Sequence, residues 1–211
     1  MKRKLKIEIG LAVLLLLIAL FGSFLAPYDP LKVNYDFSLQ PPSFLHIFGT
    51  DKLGRDVFSR ILCGAKTSFG LTFLMLFLIV FIGMIVGLIA GLSNDKVESF
   101  FNNIINGLLA FPDTIFAIAI VGIVGAGLFN TVFALALIWW TKYARLTLAL
   151  VKQEKKKNYL VISKMSGVPP LQRIIRYLLP NILSQILVTA FLDIGNMMIS
   201  LAGLCTSRLD E

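Results

Sequence analysis

Five apolar runs divide the chain, each bounded by a polar or turn-forming stretch. The first, Ile9–Ala26, is ~18 residues long, enough to cross a hydrocarbon core of about 30 Å. Lys2, Arg3, Lys4 and Lys6 precede it, as in a signal peptide. Signal-peptide cores run only about 7–15 residues, however, so an uncleaved span is predicted. Pro27 and Pro30 end it, because proline lacks the N–H that continues a helix. A polar segment reaches about Lys66, broken at 40–43 by "QPPS". The second run, Ser68–Leu92, carries Gly83, Gly87 and Gly91. Glycines four apart form a flat stripe that predicts close approach of another helix. After the polar "SNDKVES" at 93–99, the third run covers Phe100–Gly125 and contains Pro112, which predicts a kink or a split. A turn at 125–130 leads to the fourth run, Thr131–Ala149, with Trp139, Trp140 and Tyr143 near one end, where amphipathic rings favour a membrane interface. The fifth run is Pro180–Leu204.

Composition agrees with this pattern. Of the 211 residues, 57% are hydrophobic and 15% charged, with a mean hydropathy of +0.82. Soluble domains average about 45–50% apolar and 25% charged. The expected fold class is therefore all-α, a polytopic membrane protein of about five spans. Two parts are expected: 1–67, an N-terminal span plus an extracytoplasmic segment, and 68–211, the main transmembrane domain with a cytoplasmic loop at 150–178. The net charge of +8 needs no nucleic acid to explain it. Basic residues flank the first span and cluster from Lys142 to Arg176 after the fourth, which predicts both regions to be cytoplasmic. Cys63 and Cys205 form no motif.

The 150–178 segment is too long for a plain connection. "NYLVISKMSG" favours a helix that ends at Gly167, and "PPLQRIIRYLLP" restarts one with proline in its first turn. Two short helices meeting around Gly167-Val168-Pro169 are predicted. Tyr159, Gly167 and "RIIRYLLPN" at 173–181 resemble the "EAA" loop of permeases of ATP-binding-cassette (ABC) transporters in bacterial inner membranes. With "FGTDKLGRDVFSRI" at 48–61, "AFPDTIFAIAIVGIVGAGLFN" at 110–130, "YARL" at 143–146 and "LDIGNMM" at 192–198, the chain resembles the dipeptide/oligopeptide/nickel importer permeases, on the subunit that carries GTDxLGRD. "LDIGNMM" and "WWTKYARL" look most like nickel permeases. The resemblance implies two permeases forming a pathway, two cytoplasmic ATPases that bind the loops as coupling helices, and an external binding protein that delivers substrate. It implies that ATP-driven closure switches the pathway from inward- to outward-facing. ATP and magnesium belong to the ATPases, so neither cofactor nor catalytic residue is expected here. Tyr159, Val161, Ile162, Ser163 and Gly167 would form the coupling helix, continued through Arg173, Arg176, Pro180 and Asn181. Two departures stand out: Val161-Ile162-Ser163 replaces "EAA", and "CTSRLDE" stands where the family continues into a sixth helix, so the chain reads as truncated after Leu204. Nickel or another chelated transition metal is the expected cargo. A di- or oligopeptide and a non-transporting remnant are the alternatives.

In the fifth run Thr189, Asp193, Asn196, Met197 and Ser200 fall at i, i+4, i+7, i+8 and i+11, one helical face. A carboxylate inside a membrane costs roughly 2.5–3.5 kcal/mol on insertion scales, so it normally faces a cavity or a partner. The face predicts a pathway wall or a seam between subunits. Asp193 would offer an oxygen and Met197 or Met198 a soft thioether, but direct metal ligation is not expected. His46, the only histidine, reads as a surface residue. A zinc protease is excluded on ligand count. Asp113 reads as a helix cap. Asp113 and Asp193 lack the setting of an intramembrane aspartyl protease, which needs two facing carboxylates.

"FGTDKLGRDVFSR" at 48–60 lacks the phosphate-loop spacing. With Thr50 as N-cap, Asp51–Arg55 and Asp56–Arg60 are i,i+4 pairs, acid first. These predict an amphipathic helix on the outer membrane surface, serving as an elbow or a contact for the binding protein.

Overall fold

The computed structural model describes residues 10, 17, 18, 20–125 and 127–206. Among them the chain is helical, with an isolated bridge between Thr50 and Asp56. Contacts divide the chain into two units, Met1–Leu71 and Thr72–Glu211.

In the first unit residues 20–25 are helical; the rest of the expected first span falls largely outside the described residues. A single 3-10 turn, Tyr35–Phe37, opens a loop that folds back on itself. Its backbone bonds include Asn34 N–H to Leu53 C=O at 3.0 Å and Leu39 N–H to Asp51 C=O at 3.1 Å. Helix α1, Val57–Leu92, begins in this unit and ends in the second. It starts at Val57 rather than Ser68 because Asp56 Oδ2 accepts the Ser59 N–H at 2.8 Å, an N-cap bond. A cap and helix-forming residues suffice to begin a helix; the apolar run that guided the expectation starts later.

The second unit continues with α2, Asp95–Leu109, α3, Asp113–Val124, and α4, Leu128–Lys155. Asn94 caps α2 through the Val97 N–H at 3.1 Å, so the helix begins inside the stretch expected as loop. Pro112 splits the expected third span outright. It takes an extended ψ of 123° and α3 restarts at Asp113, since proline has no N–H to bond back and restricts the residue before it. Asp113 is thus the first helical residue, where a carboxylate suits the helix dipole, rather than the cap. Then follow α5, Asn158–Met165, α6, Pro170–Arg173, a π turn, Ile174–Leu178, and α7, Leu179–Thr206. The π turn lies just before Pro180, which cannot donate to the preceding turn.

Among the described residues three helical stretches are long and apolar enough to cross a membrane, Val57–Leu92, Leu128–Lys155 and Pro170–Gly203, with Ile115–Val124 as a shorter apolar helix. Helix α4 is central: it packs against α2, α3 and α7 and buries Leu135, Ile138, Tyr143, Ala144 and Val151. The glycine stripe of α1 meets it. A Cβ on Gly83 would lie 2.6 Å from the Trp140 carbonyl oxygen, and one on Gly87 2.5 Å from Thr147 Cβ, so only glycine permits this approach. Phe73, Phe77, Phe81 and Ile85 of the same helix are exposed, as lipid allows because its tails are as apolar as they are.

Candidate functional site

Helices α4 and α7 and the Pro112 break surround a cavity of about 610 Å³. Lys142, Trp139 and Thr141 line it from α4, Asp193, Asn196 and Ser200 from α7, and Asp113 from the start of α3. Asp193 is only 6% exposed. Lys142 Nζ donates to both its carboxylate oxygens at 2.8 and 2.7 Å, and the Tyr143 hydroxyl donates to Oδ2 at 2.9 Å. Three hydrogen bonds from two donor groups thus offset the desolvation of one carboxylate, and the lysine's own charge is matched. The pair lets α4 and α7 carry charge inside the span while presenting polar groups to the cavity.

Of the face read from the sequence, Asp193, Asn196 and Ser200 come together at the cavity. Thr189 and Met197 do not line it. Thr189 lies one turn, about 6 Å, before Asp193 along the axis, and its hydroxyl donates to the Gln185 carbonyl at 3.0 Å. Met197 is rotated about 40° past Asp193 and is fully buried, so its thioether is withheld from the cavity. Lys142 and Tyr143 were missed as partners of Asp193. Tyr143 is fully buried rather than at an interface. A usable signal existed: Lys142 and Arg145 lie inside the expected fourth span, and an intramembrane cation needs an acceptor. Arg145 finds one in the Asn106 side chain.

A second cluster holds the connection between α4 and α7. Glu154, 2% exposed at the end of α4, accepts from Lys157 Nζ at 2.6 Å and from the Tyr159 hydroxyl. Asn181 Nδ2 donates to the Tyr159 oxygen at 3.0 Å and to the Tyr177 carbonyl at 2.7 Å. Burial and then the hydrogen bond to the Glu154 carboxylate push the Tyr159 hydroxyl above its ordinary pKa of 10.0. Helix α5 ends in a Schellman motif, with Val168 N–H on Ser163 C=O at 3.1 Å and Gly167 N–H on Lys164 C=O at 3.2 Å. Gly167 takes the left-handed φ of +75° that this motif demands. Ser163 is buried, whereas Val161, Ile162 and Met165 are exposed. Arg176 and Pro180 are exposed, and Arg173 is half-buried with an unpartnered Nε.

The 48–60 stretch differs from the expected helix. Residues 51–55 form a tight loop, in which Asp51 Oδ1 accepts the N–H groups of Leu53 and Arg55 at 2.8 and 3.0 Å. Asp51 Oδ2 accepts from Arg55 Nε at 2.8 Å and also from Arg60. Burial acts to raise the Asp51 pKa but is outweighed by the Arg55 and Leu53 hydrogen bonds, which hold it at about 2. The expected Asp56–Arg60 pair is absent among these contacts: the loop brings Arg60 to Asp51, and Asp56 is spent capping α1 and holding His46. Thr50 is not an N-cap; its hydroxyl donates to the Phe37 carbonyl. His46 is not a surface residue either. Its side chain is 14% exposed, with Nδ1 2.9 Å from Asp56 Oδ1 and its ring 4.9 Å from that of Tyr28.

Comparison with known proteins adds to this geometry. The family described as "Binding-protein-dependent transport system inner membrane component" matches residues 83–205. "N-terminal TM domain of oligopeptide transport permease C" matches residues 9–42. The chain is 33% identical over 191 residues to the nickel transport system permease protein NikC of Escherichia coli K12, covering 90% of this chain and 69% of that relative. It is 37% identical over 203 residues to the di/tripeptide transport system permease protein DppC of Pseudomonas aeruginosa, covering 92% and 67%. With the dipeptide transport system permease protein DppC of E. coli K12 the identity is 36% over 198 residues, covering 91% and 66%.

Proposed function

The chain belongs to the family of binding-protein-dependent transport system inner membrane components, and from that premise we propose that it forms half of the translocation pathway of an ATP-driven importer for nickel or another chelated transition metal. It is a multi-pass membrane permease with nickel- and peptide-transporting relatives. The observation that carries the pathway reading is the cavity of about 610 Å³, with a charged pair on the wall of helices long enough to span a bilayer. Among the described residues no three His, Cys, Asp or Glu side chains converge as a metal site, and Met197 faces away. A metal cargo, in this reading, passes with its chelator still bound and needs no naked ligand on the wall. In this reading the second half of the pathway is another permease subunit, and an extracytoplasmic binding protein delivers cargo. The α4–α7 connection is cytoplasmic, with exposed Val161, Ile162 and Met165 docking on one of two ATP-binding subunits that carry the ATP and magnesium. The amino terminus is cytoplasmic as well. The 48–60 loop lies outside, as an elbow into α1 or a contact for the binding protein.

The higher identity to the two DppC proteins, 37% and 36%, favours di- or oligopeptides as the second reading. Uptake of radiolabelled nickel and of a labelled dipeptide, in a strain lacking the chain and in one complemented by it, separates the two. Restored nickel uptake supports the first reading; restored dipeptide uptake alone replaces it. A tagged chain that captures no ATP-binding subunit overturns both, and leaves the remnant.

A further inference from the structure

Helix α5 presents most of its side chains to solvent. Ser163 is its buried residue, and Ile162 and Met165 stand 60% and 82% exposed. Eight residues form a marginal helix without tertiary support, so apolar packing does not explain how its direction is fixed. Polar contacts do. The Tyr159 hydroxyl, in the first turn of α5, donates its proton to Glu154 at the end of α4, and its oxygen accepts from Asn181 in the first turn of α7. One hydroxyl thus joins three helices. Two of them, α4 and α7, are the same two that Lys142 and Asp193 tie together at the cavity. Glu154 is also held by Lys157, the residue just before α5, and the residue after Glu154, Lys155, donates to the Gly91 carbonyl of α1 at 3.0 Å.

We propose that Glu154 is a positioning residue for the exposed helix α5: with Tyr159 and Asn181 it makes a polar joint that holds α5 in a fixed direction against the two cavity-lining helices. A shift of α4 relative to α7 must then either turn α5 or break the joint. The geometric part stands on the contacts alone. Its consequence for transport rests on the permease reading above.

The test uses the full chain, co-expressed with its partner subunits, in a background of Cys63→Ser and Cys205→Ser. A spin label on Lys164→Cys, an exposed position of α5 outside the docking residues, reports how freely α5 moves. Tyr159→Phe removes the shared hydroxyl with little change in volume, and Glu154→Ala removes the carboxylate. Each is expected to convert the label spectrum from restricted to mobile, with membrane abundance unchanged. The double variant is expected to go no further than either single, because both cut one joint. Uptake of the labelled cargo should fall roughly two- to thirtyfold, the range for loss of a coupling contact, while capture of the ATP-binding subunit persists. An unchanged label spectrum in both single variants overturns the proposal, even if uptake falls. Parallel loss of abundance in Tyr159→Phe and in Asn181→Ala also overturns it, by showing that these residues hold the fold rather than the direction of α5. A wild-type chain that captures no ATP-binding subunit sinks the permease reading instead, and the label spectra still decide whether the joint exists.

Discussion

Asp193 and Glu154 are both buried carboxylates, and each is met by one lysine and one tyrosine. The resemblance ends there. Asp193 draws Lys142 and Tyr143 from 51 and 50 positions away in the chain, on a different helix. Glu154 draws Lys157 and Tyr159 from 3 and 5 positions away, where α4 ends and α5 begins. The same chemistry therefore serves two tasks. At the cavity it makes charge tolerable inside a span and clamps two helices. At the helix end it fixes the direction of a short exposed element. A distant pair exists only if the helices pack; a local one needs little more than the turn that contains it.

The contrast can be broken most forcefully at Asp193. Asp193→Ala leaves Lys142 and Tyr143 without their acceptor inside the span. It is expected to cost about 3–5 kcal/mol, as breaking a buried pair does, read as lost membrane abundance and earlier thermal unfolding in detergent. Replacing both partners, Asp193→Leu with Lys142→Leu, should recover most of that loss. A double variant as unstable as the single would show that pairing is not what Asp193 provides. Glu154→Ala should be milder, about 1–3 kcal/mol for the partners left unpaired, read as earlier thermal unfolding in detergent with membrane abundance retained, because Glu154 and its lysine sit at the end of α4, in the connection read as cytoplasmic, where water can take up the freed charge. A loss equal to that of Asp193→Ala would erase the distinction between the clusters.

Alkaline pH sharpens the comparison further. The folded pKa of Tyr159 is raised above 10.0, chiefly by burial. The stability it contributes is present below the unfolded value and is lost as pH rises through the folded one. Unfolding midpoints followed upward from pH ~10 should fall more for the wild type than for Tyr159→Phe. Equal falls would mean that neither burial nor the Glu154 carboxylate raises the pKa of the hydroxyl. The smallest effect is expected for Lys157→Ala. Its side chain is 48% exposed but its acceptor is buried, and Tyr159 still donates to that acceptor, so removal should cost about 1 kcal/mol.

Legibility followed the same divide. The Pro112 break, the turn at Gly167 and the helix that restarts at Pro170 were readable because proline and glycine act on their own backbone. The glycine stripe at 83, 87 and 91 was readable as a contact, though not its partner, α4. At 48–60 the i,i+4 spacing suggested a helix, yet backbone bonds from Asp51 closed a loop instead and delivered Arg60 to the wrong predicted acid. Spacing gives the pairs a helix would make; it does not say whether the helix forms.

By itself, the sequence determined that this chain is a helical membrane protein of the binding-protein-dependent permease family, where its helices break, and that Asp193 needs a partner. Those features depend on apolar run length, backbone stereochemistry and the cost of a lone charge, all of which act locally. The tertiary structure alone decided that the partner is Lys142, that Met197 turns from the cavity while Asn196 and Ser200 face it, and that Tyr159 joins three helices. Each of these depends on the rotation and depth of one helix against another. A few tens of degrees about the axis decide which side chain faces the cavity, and the packing that sets the angle is distributed over residues far apart in the chain.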